Sequence, residues 1–187
     1  MALVVLVRGL NVGGHRSFRP AKLAKRLRHL GAVNIGATGT FVIRRSVGLA
    51  QLRTEIAGRL HFDAEIMICQ GRQIVRLVAH DVFAGHPVRP DTVRFVSVLS
   101  RVPRSAPVLP IQFPSRGRWL LKVLRREGRF VFGVYRRDMK VIGYLGALDP
   151  VFGVPATTHS WNTIVAIARV ITGSRHGAAD APESGGK

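Results

Sequence analysis

The predicted helices and strands follow the same order twice along this sequence. The order is strand, connection, two strands, helix, strand, helix, first over residues 1–86 and again over residues 87–173. A split β-α-β-β-α-β unit accounts for each half economically. The sequence therefore predicts an α+β fold in which two ferredoxin-like halves pack together and the ordered chain ends in a C-terminal helix. Residues 174–187 are rich in Gly, Ala, Ser and Pro, which predicts a disordered tail.

Hydrophobic spacing defines the elements of the first half. The predicted strands cover residues 2–7, 33–35, 40–44 and 64–69, and the predicted helices cover residues 20–30, 48–60 and 72–82. In the first helix, Leu23, Leu27 and Leu30 mark the buried face. Pro20 suits the first helical position and Gly31 suits the position just after the last turn.

The second half is predicted in the same way. The predicted strands cover residues 93–99, 119–124, 129–135 and 155–159, and the predicted helices cover residues 138–148 and 161–171. The segment 101–117 contains four prolines, so we interpret it as a loop in the place of the first helix. Gly143 and Gly146 weaken the helix prediction over residues 138–148.

The charge of the chain is strongly positive. It has 29 Lys and Arg against 10 Asp and Glu, a net charge of +19, and no acidic residue precedes Glu55. Such a field attracts polyanions without sequence preference. The predicted polyanion-binding residues are on the exposed side of the first helix and in two loops: Lys22, Lys25, Arg26, Arg28, Arg44, Arg45, Arg125 and Arg126. The alternative is a compositional bias toward Arg, with these side chains forming an ordinary solvated face.

Other residue patterns exclude several classes of function. No apolar run is long enough for a membrane span, and Arg8 interrupts the first one, so neither a membrane segment nor a signal peptide is predicted. The single cysteine, Cys69, is expected to be a buried thiol in a cytoplasmic protein. Paired carboxylates, metal-ligand spacing and the Gly-x-Ser-x-Gly elbow are missing from the sequence, so we predict no metal and no cofactor.

A glycine-rich motif, Arg8-Gly9-Leu10-Asn11-Val12-Gly13-Gly14-His15, joins the first strand to the first helix. Its glycines permit a sharp turn and a close approach to a ligand. With Arg8 beside it, such a loop can hold an anion on backbone N–H groups. The alternative is a tight strand-to-helix connection that binds no ligand. In it, Asn11 forms a hydrogen bond within its own turn, and Gly13 and Gly14 only allow the backbone to adopt the turn.

A second polar motif, Thr157-Thr158-His159-Ser160-Trp161-Asn162-Thr163, precedes the last helix. Thr158 and Asn162 offer hydrogen-bonding groups, and Trp161 offers an apolar wall. We predict that both motifs form one ligand site where the halves meet, with Arg8 binding a carboxylate or phosphate. Alternatively, Asn162 caps the last helix and Trp161 fills the core.

Together the two motifs resemble the signatures of a bacterial family, domain of unknown function 1697. The signatures are R-G-[IL]-N-V-G-G and T-T-R-N-W-N-T, and the resemblance covers about residues 1–173. It implies a cytoplasmic protein with two ferredoxin-like halves and no established activity. His159 and Ser160 replace the Arg and the first Asn of the second signature, and Ala37-Thr38-Gly39-Thr40 stands where family members commonly have Q-S-G-N. A family ligand, if there is one, is therefore bound differently here or not at all.

Three functions remain open from the sequence. The first is binding of a phosphate-bearing ligand or nucleic acid through the basic surface. The second is a small-molecule site, enzymatic or not, built from the two motifs. The third is a non-catalytic structural role. A contiguous basic face would favour binding of a polyanion. A pocket shared by the two motifs would favour a small-molecule site. Motif residues that are buried and bonded within the fold would favour a structural role. The sequence names no reaction and no oligomeric state.

Overall fold

The structure is a computed structural model that describes residues 1–8, 19–60, 62–80, 82–87 and 89–173. Its first half contains, in chain order, β1 (Leu3–Val7), α1 (Pro20–Arg26), a 3-10 turn (Arg28–Leu30), β2 (Ala32–Ile35), β3 (Thr40–Ile43), α2 (Leu49–Ala57), β4 (Ile66–Gln70) and α3 (Gly71–Ala79). Its second half contains β5 (Thr92–Leu99), β6 (Ile111–Phe113), β7 (Leu121–Glu127), β8 (Phe130–Arg136), α4 (Val141–Gly146), α5 (Leu148–Phe152), β9 (Ala156–Ser160) and α6 (Trp161–Thr172).

The first half forms a four-stranded sheet in the order β2-β3-β1-β4, and all its pairings are antiparallel. The register places Val5 opposite Phe41 on β3 and opposite Ile68 on β4. Every residue of β1 is buried, because helices cover the sheet on both faces. Strand order and direction are those of the split β-α-β-β-α-β unit that the sequence predicts.

The second half repeats this order with one added strand. Its sheet runs β6-β7-β8-β5-β9, again antiparallel throughout. The added strand β6 lies within the segment that the sequence predicts to be entirely loop, and that prediction is wrong for residues 111–113. Pro110 and Pro114 flank β6, and proline is tolerated at the ends and edges of sheets. No α-helix lies between β5 and β7, as expected.

Apolar side chains form three clusters that define five layers. One cluster fills the space between the two sheets and includes residues of both sheets, α3 and α6. A second cluster lies on the outer face of the first sheet under α1 and α2. A third lies on the outer face of the second sheet under α4, α5 and parts of the 100–120 segment. The layers are therefore helices, sheet, helices, sheet, and helices with loop.

The helices α3 and α6 join the halves in the central layer. They pack against each other, and α6 also contacts β2 and β3 of the first sheet. A Cβ on Gly71 would lie 2.9 Å from the Ala2 carbonyl oxygen and 3.1 Å from the Ile171 Cδ1 atom. Only glycine fits where α3 begins, because the backbone just before β1 and the end of α6 approach it closely.

The mixed α+β arrangement of two halves with a C-terminal helix is confirmed. The helix predicted over residues 138–148 is two short helices, α4 and α5, and the first predicted helix ends in a 3-10 turn. The domain boundary at residues 86 and 87 stays a prediction, and the predicted tail lies outside the described residues. Over the ranges that the structure describes, no helix is both long and apolar enough to cross a membrane.

Candidate functional site

Arg8 connects the two halves at the end of β1. Its backbone N–H donates to the Glu65 carbonyl oxygen, and its Nη2 atom lies 2.6 Å from Asp149 Oδ2 in α5. Its Nη1 atom lies 3.5 Å from Glu65 Oε2. Asp149 Oδ1 also accepts the Ala156 N–H at 3.0 Å. The carboxylate of Asp149 thus neutralises Arg8 and also binds the backbone of Ala156, the residue just before the second motif. Because Asp149 is far from Arg8 in sequence, the sequence did not indicate this partner.

The other predicted residues of the glycine-rich motif are Asn11, Gly13 and Gly14. They lie outside the described residues, so their role in a ligand site stays a prediction.

The threonine residues of the second motif are bonded within the fold. Thr158 on β9 lies opposite Ser97 on β5, and their hydroxyl oxygens are 2.6 Å apart. The hydroxyl of Thr157 lies 3.3 Å from His159 Nε2. Alternation along β9 turns Thr157 and His159 toward one face of the sheet and Thr158 toward the other. Hydrogen bonds of this kind within the fold are what the hypothesis of a non-catalytic structural role expects for these threonines.

Burial controls the protonation of His159. Its side chain is 5% exposed, and desolvation lowers its pKa from 6.5 to about 4. The imidazole is therefore neutral at pH 7 and contributes no charge to the basic surface.

The start of α6 is organised by Ser160. Its hydroxyl oxygen accepts the Thr163 N–H at 3.3 Å, so Ser160 is the N-cap and the alternative in which Asn162 caps this helix is wrong. The ring of Trp161 packs edge-on against Phe83 with centroids 5.1 Å apart. Asn162 is exposed beside it.

Trp161 and Asn162 line a cleft of about 240 Å³, here called the α6 cleft. Three arginines from the β5 end of the sheet, Arg89, Arg94 and Arg137, line the same space. Arg94 Nε donates to the His86 carbonyl oxygen at 3.1 Å, and Arg137 Nε donates to that of Pro90 at 3.2 Å. This arrangement fixes two cationic groups beside the tryptophan.

The structure does not bring Arg8 to this cleft. Arg8 reaches the Ala156 end of β9 through Asp149, whereas Trp161 and Asn162 follow the opposite end. Four residues of strand separate the two ends, about 13 Å at ~3.3 Å per residue. A site shared by both motifs therefore depends on residues 9–18, which are not among the described residues.

A contiguous basic face covers α1 and the adjoining turn. Five exposed side chains form it: Lys22, Lys25, Arg26, Arg28 and Arg45. Arg44 is also exposed, but its Nη2 atom donates to the Val170 carbonyl oxygen of α6 at 3.3 Å, so its guanidinium lies toward the central layer. Arg45 follows β3 and is tied to the turn after α1, since its Nη1 atom donates to the His29 carbonyl oxygen at 3.0 Å and its backbone N–H donates to that of Leu30 at 3.0 Å. The nearby carboxylate of Glu55 is held by His29 at 2.7 Å and Arg59 at 3.0 Å.

Arg125 and Arg126 lie on a different side of the molecule. They belong to β7, next to the β7–β8 turn, which adjoins β4 because Arg129 Nη1 donates to the Ile68 carbonyl oxygen at 3.0 Å. Strands β2 and β4 are opposite edges of the first sheet. Arg125 also pairs with Glu127. The structure therefore places five of the eight predicted basic residues on one face, and Arg44, Arg125 and Arg126 lie apart from it.

No group of three potential metal ligands occurs among the described residues. Cys69 is buried, and burial raises the pKa of its thiol, so the sulfur is protonated at neutral pH.

Comparison with known families supports the resemblance of the motifs. A model of the family described as Protein of unknown function (DUF1697) matches residues 1–118. The chain belongs to this family. The match includes the glycine-rich motif, whereas the second motif lies beyond it. The family description assigns no activity.

Comparison with solved structures extends the likeness into the second half of this DUF1697 protein. The conserved bacterial protein SP0830 from Streptococcus pneumoniae aligns with a TM-score of 0.58 and 14% identity, covering 91% of this chain and 98% of that one. At this identity the likeness shows the fold alone. Comparison with curated proteins gives no match.

Proposed function

We propose that this DUF1697 protein binds phosphate-bearing polyanions, nucleic acid foremost, through the basic face. One observation carries the proposal: five exposed Lys and Arg side chains adjoin one another, and none forms an ion pair in the part of the chain that the structure describes. Cations without protein carboxylate partners are available to phosphates, and binding releases the counterions condensed on the nucleic acid.

The chemistry of the face favours contact with the phosphate backbone. Lys22, Lys25 and Arg26 are exposed and lie on one side of α1, which is only seven residues long. Contacts of this kind position a protein on nucleic acid but carry no sequence information. We therefore expect weak binding with similar affinity for unrelated sequences.

The test is a salt titration of binding to a fluorescent 20-base-pair DNA duplex and to a matching RNA. Affinity should fall linearly with salt on a double-logarithmic plot. The double variant Lys25→Gln/Arg26→Gln should reduce the slope by about 2, since each lost phosphate contact removes about 1.

The matched control removes the same charge from the second half. Arg101→Gln/Arg104→Gln changes two exposed arginines of the 100–120 segment and should leave the slope nearly unchanged. An equal loss in both variants would show that total charge governs binding, and lack of binding at low salt would refute the proposal.

The α6 cleft supports a second candidate, a site for one phosphate group of a small molecule. Its support is the convergence of Arg89, Arg94 and Arg137 on the space beside Trp161 and Asn162. A ligand that binds only the folded protein raises its melting temperature. Inorganic phosphate should raise the melting temperature of the wild type, and Arg89→Gln should reduce that increase whereas Arg104→Gln should not. An unchanged increase in Arg89→Gln would exclude this cleft.

A further inference from the structure

A separate cleft of about 490 Å³ lies where the two halves meet, and we call it the inter-half cleft. One wall is α3 with the end of β4, and the other is the β7–β8 hairpin together with Val102. No described residue of the two sequence motifs lines it. Ligand sites in general occupy clefts of about 300–1,000 Å³, often between domains.

Two arginines on α3 place positive charge along this cleft. Arg72 and Arg76 are exposed and stand one helical turn apart. Arg72 Nε donates to Gln70 Oε1 at 2.6 Å, which orients the guanidinium. Neither residue forms an ion pair within the described ranges. Like charges at this spacing disfavour the helix, and an anion between them relieves the repulsion.

A third arginine adds positive charge between the halves. Arg129 Nε donates to the Leu99 carbonyl oxygen at 2.8 Å, and Nη1 donates to that of Ile68 at 3.0 Å. Its Nη2 atom is buried without a hydrogen-bond partner, and no carboxylate of the described chain pairs with Arg129. An unpaired buried cationic donor is costly. Glu127 also lines this cleft, and its carboxylate is engaged by Arg125.

The lining of the cleft also provides apolar surface. Leu77 and Phe130 line it and are each only 4% exposed, so they form its floor. Val102, which is 57% exposed, stands at the rim. Apolar walls with a few convergent polar groups are typical of small-molecule sites. The cleft therefore suits an anion that carries an apolar body.

We propose that the inter-half cleft binds a small organic phosphate, with the phosphate between Arg72 and Arg76 and the apolar part against Leu77 and Phe130. Guanidinium groups match phosphate oxygens with paired hydrogen bonds, and two of them neutralise a dianion. Arg129 contributes its charge from the floor. The proposal is independent of the basic face, which lies on α1 and after β3.

The experiment is a titration of the 15N-labelled protein followed by NMR, with phenyl phosphate as the probe. The amides of Gln73, Arg76 and Gly128, which sample both walls, should shift saturably. Inorganic phosphate lacks the apolar body and phenol lacks the charge, so each should bind at least tenfold more weakly.

The variant Arg72→Gln/Arg76→Gln should weaken phenyl phosphate binding at least tenfold, whereas Arg101→Gln/Arg104→Gln should leave it within twofold. Both pairs are exposed, so the spectra of both variants should retain the folded dispersion. Lack of saturable shifts in the wild type, or equal binding by Arg72→Gln/Arg76→Gln, would overturn the proposal. Shifts confined to residues 20–31 and 44–46 would also overturn it while leaving polyanion binding by the basic face intact.

Discussion

The two halves share a strand order but differ in what covers the outer face of each sheet. In the first half two helices, α1 and α2, cover it. In the second half the segment between β5 and β7 has no α-helix, and it packs with α4 and α5 over the sheet. The first half therefore presents charges on the solvent side of a helix, whereas the second half carries exposed arginines on an irregular segment: Arg101, Arg104, Arg116 and Arg118.

In both halves the fold engages some cations and leaves others without partners among the described residues. Arg129 and Arg137 of the second half donate to backbone carbonyl oxygens, as Arg45 does in the first half. Arg101 of the second half and Lys25 of the first have no such partner among those residues. A net charge of +19 therefore does not locate a binding surface. The location depends on where the remaining cations adjoin one another, as Lys22, Lys25 and Arg26 do on one side of α1.

The largest expected effect concerns the sheet of the second half. Gly133 on β8 lies opposite Phe95 on β5, and a Cβ there would fall 2.3 Å from the Lys122 carbonyl oxygen and 2.4 Å from Phe95 Cζ. The corresponding strand pair of the first half, β1 with β3, contains no glycine. Gly133→Ala should lower the free energy of unfolding by about 3 kcal/mol through overpacking, measured by urea denaturation.

The control for this prediction is Gly143→Ala in α4, where a Cβ meets open space. It should raise the free energy of unfolding by about 0.5–1 kcal/mol. Adding Phe95→Leu to Gly133→Ala should recover part of the loss. Equal stability of Gly133→Ala and the wild type would contradict the close approach of β5 and β8.

The next effect is a loss of stability in acid that arises in the second half. The pKa of His159 is about 4 when folded and about 6.5 when unfolded, so the unfolded chain binds the proton first as pH falls. Stability is complete above pH 6.5 and should fall by about 3 kcal/mol between pH 6.5 and pH 4. Urea denaturation of the wild type and of His159→Gln over this pH range measures the fall in the free energy of unfolding. The fall should be smaller in the variant. Parallel pH profiles would contradict the burial of a neutral imidazole.

The smallest effect concerns the two ion pairs of Arg8, of which the one with Asp149 connects the halves and the one with Glu65 lies within the first half. Its contact with Asp149 is 2.6 Å and its contact with Glu65 is 3.5 Å. Asp149 also accepts a backbone N–H, so Asp149→Ala should cost about 1–2 kcal/mol. Glu65→Ala removes only the longer, more exposed pair and should cost less than about 0.5 kcal/mol. Thermal or urea denaturation would show which variant loses more stability. A greater loss of stability in Glu65→Ala than in Asp149→Ala would contradict the role of Asp149 as the main partner of Arg8.

Much of the fold could be predicted because most elements have clear hydrophobic spacing. The leucines of α1 and the isoleucines of α6 identify their buried faces, and the exposure of Lys22 and Lys25 follows from the same spacing. The strand β6 was missed because it has three residues and lies among prolines, whose lack of an N–H argues against a strand.

The partners of the motif residues could not be predicted. Asp149 is far from Arg8 in sequence, and only the meeting of α5 with the end of β1 makes the pair. The inter-half cleft has no local pattern either, since Arg76 and Arg129 come from different halves. Charged residues carry no periodic signal of their tertiary partners, so the sequence gives their number but not their pairing.

The central claim is that the first half, not the second, presents the polyanion-binding surface. The most direct measurement is NMR of the 15N-labelled protein titrated with a short DNA duplex at low salt. The account predicts shift changes at the amides of residues 20–31 and 44–46, all reversed by added salt. Changes centred on residues 101–118 and 125–128 of the second half, with the α1 amides unmoved, would contradict it.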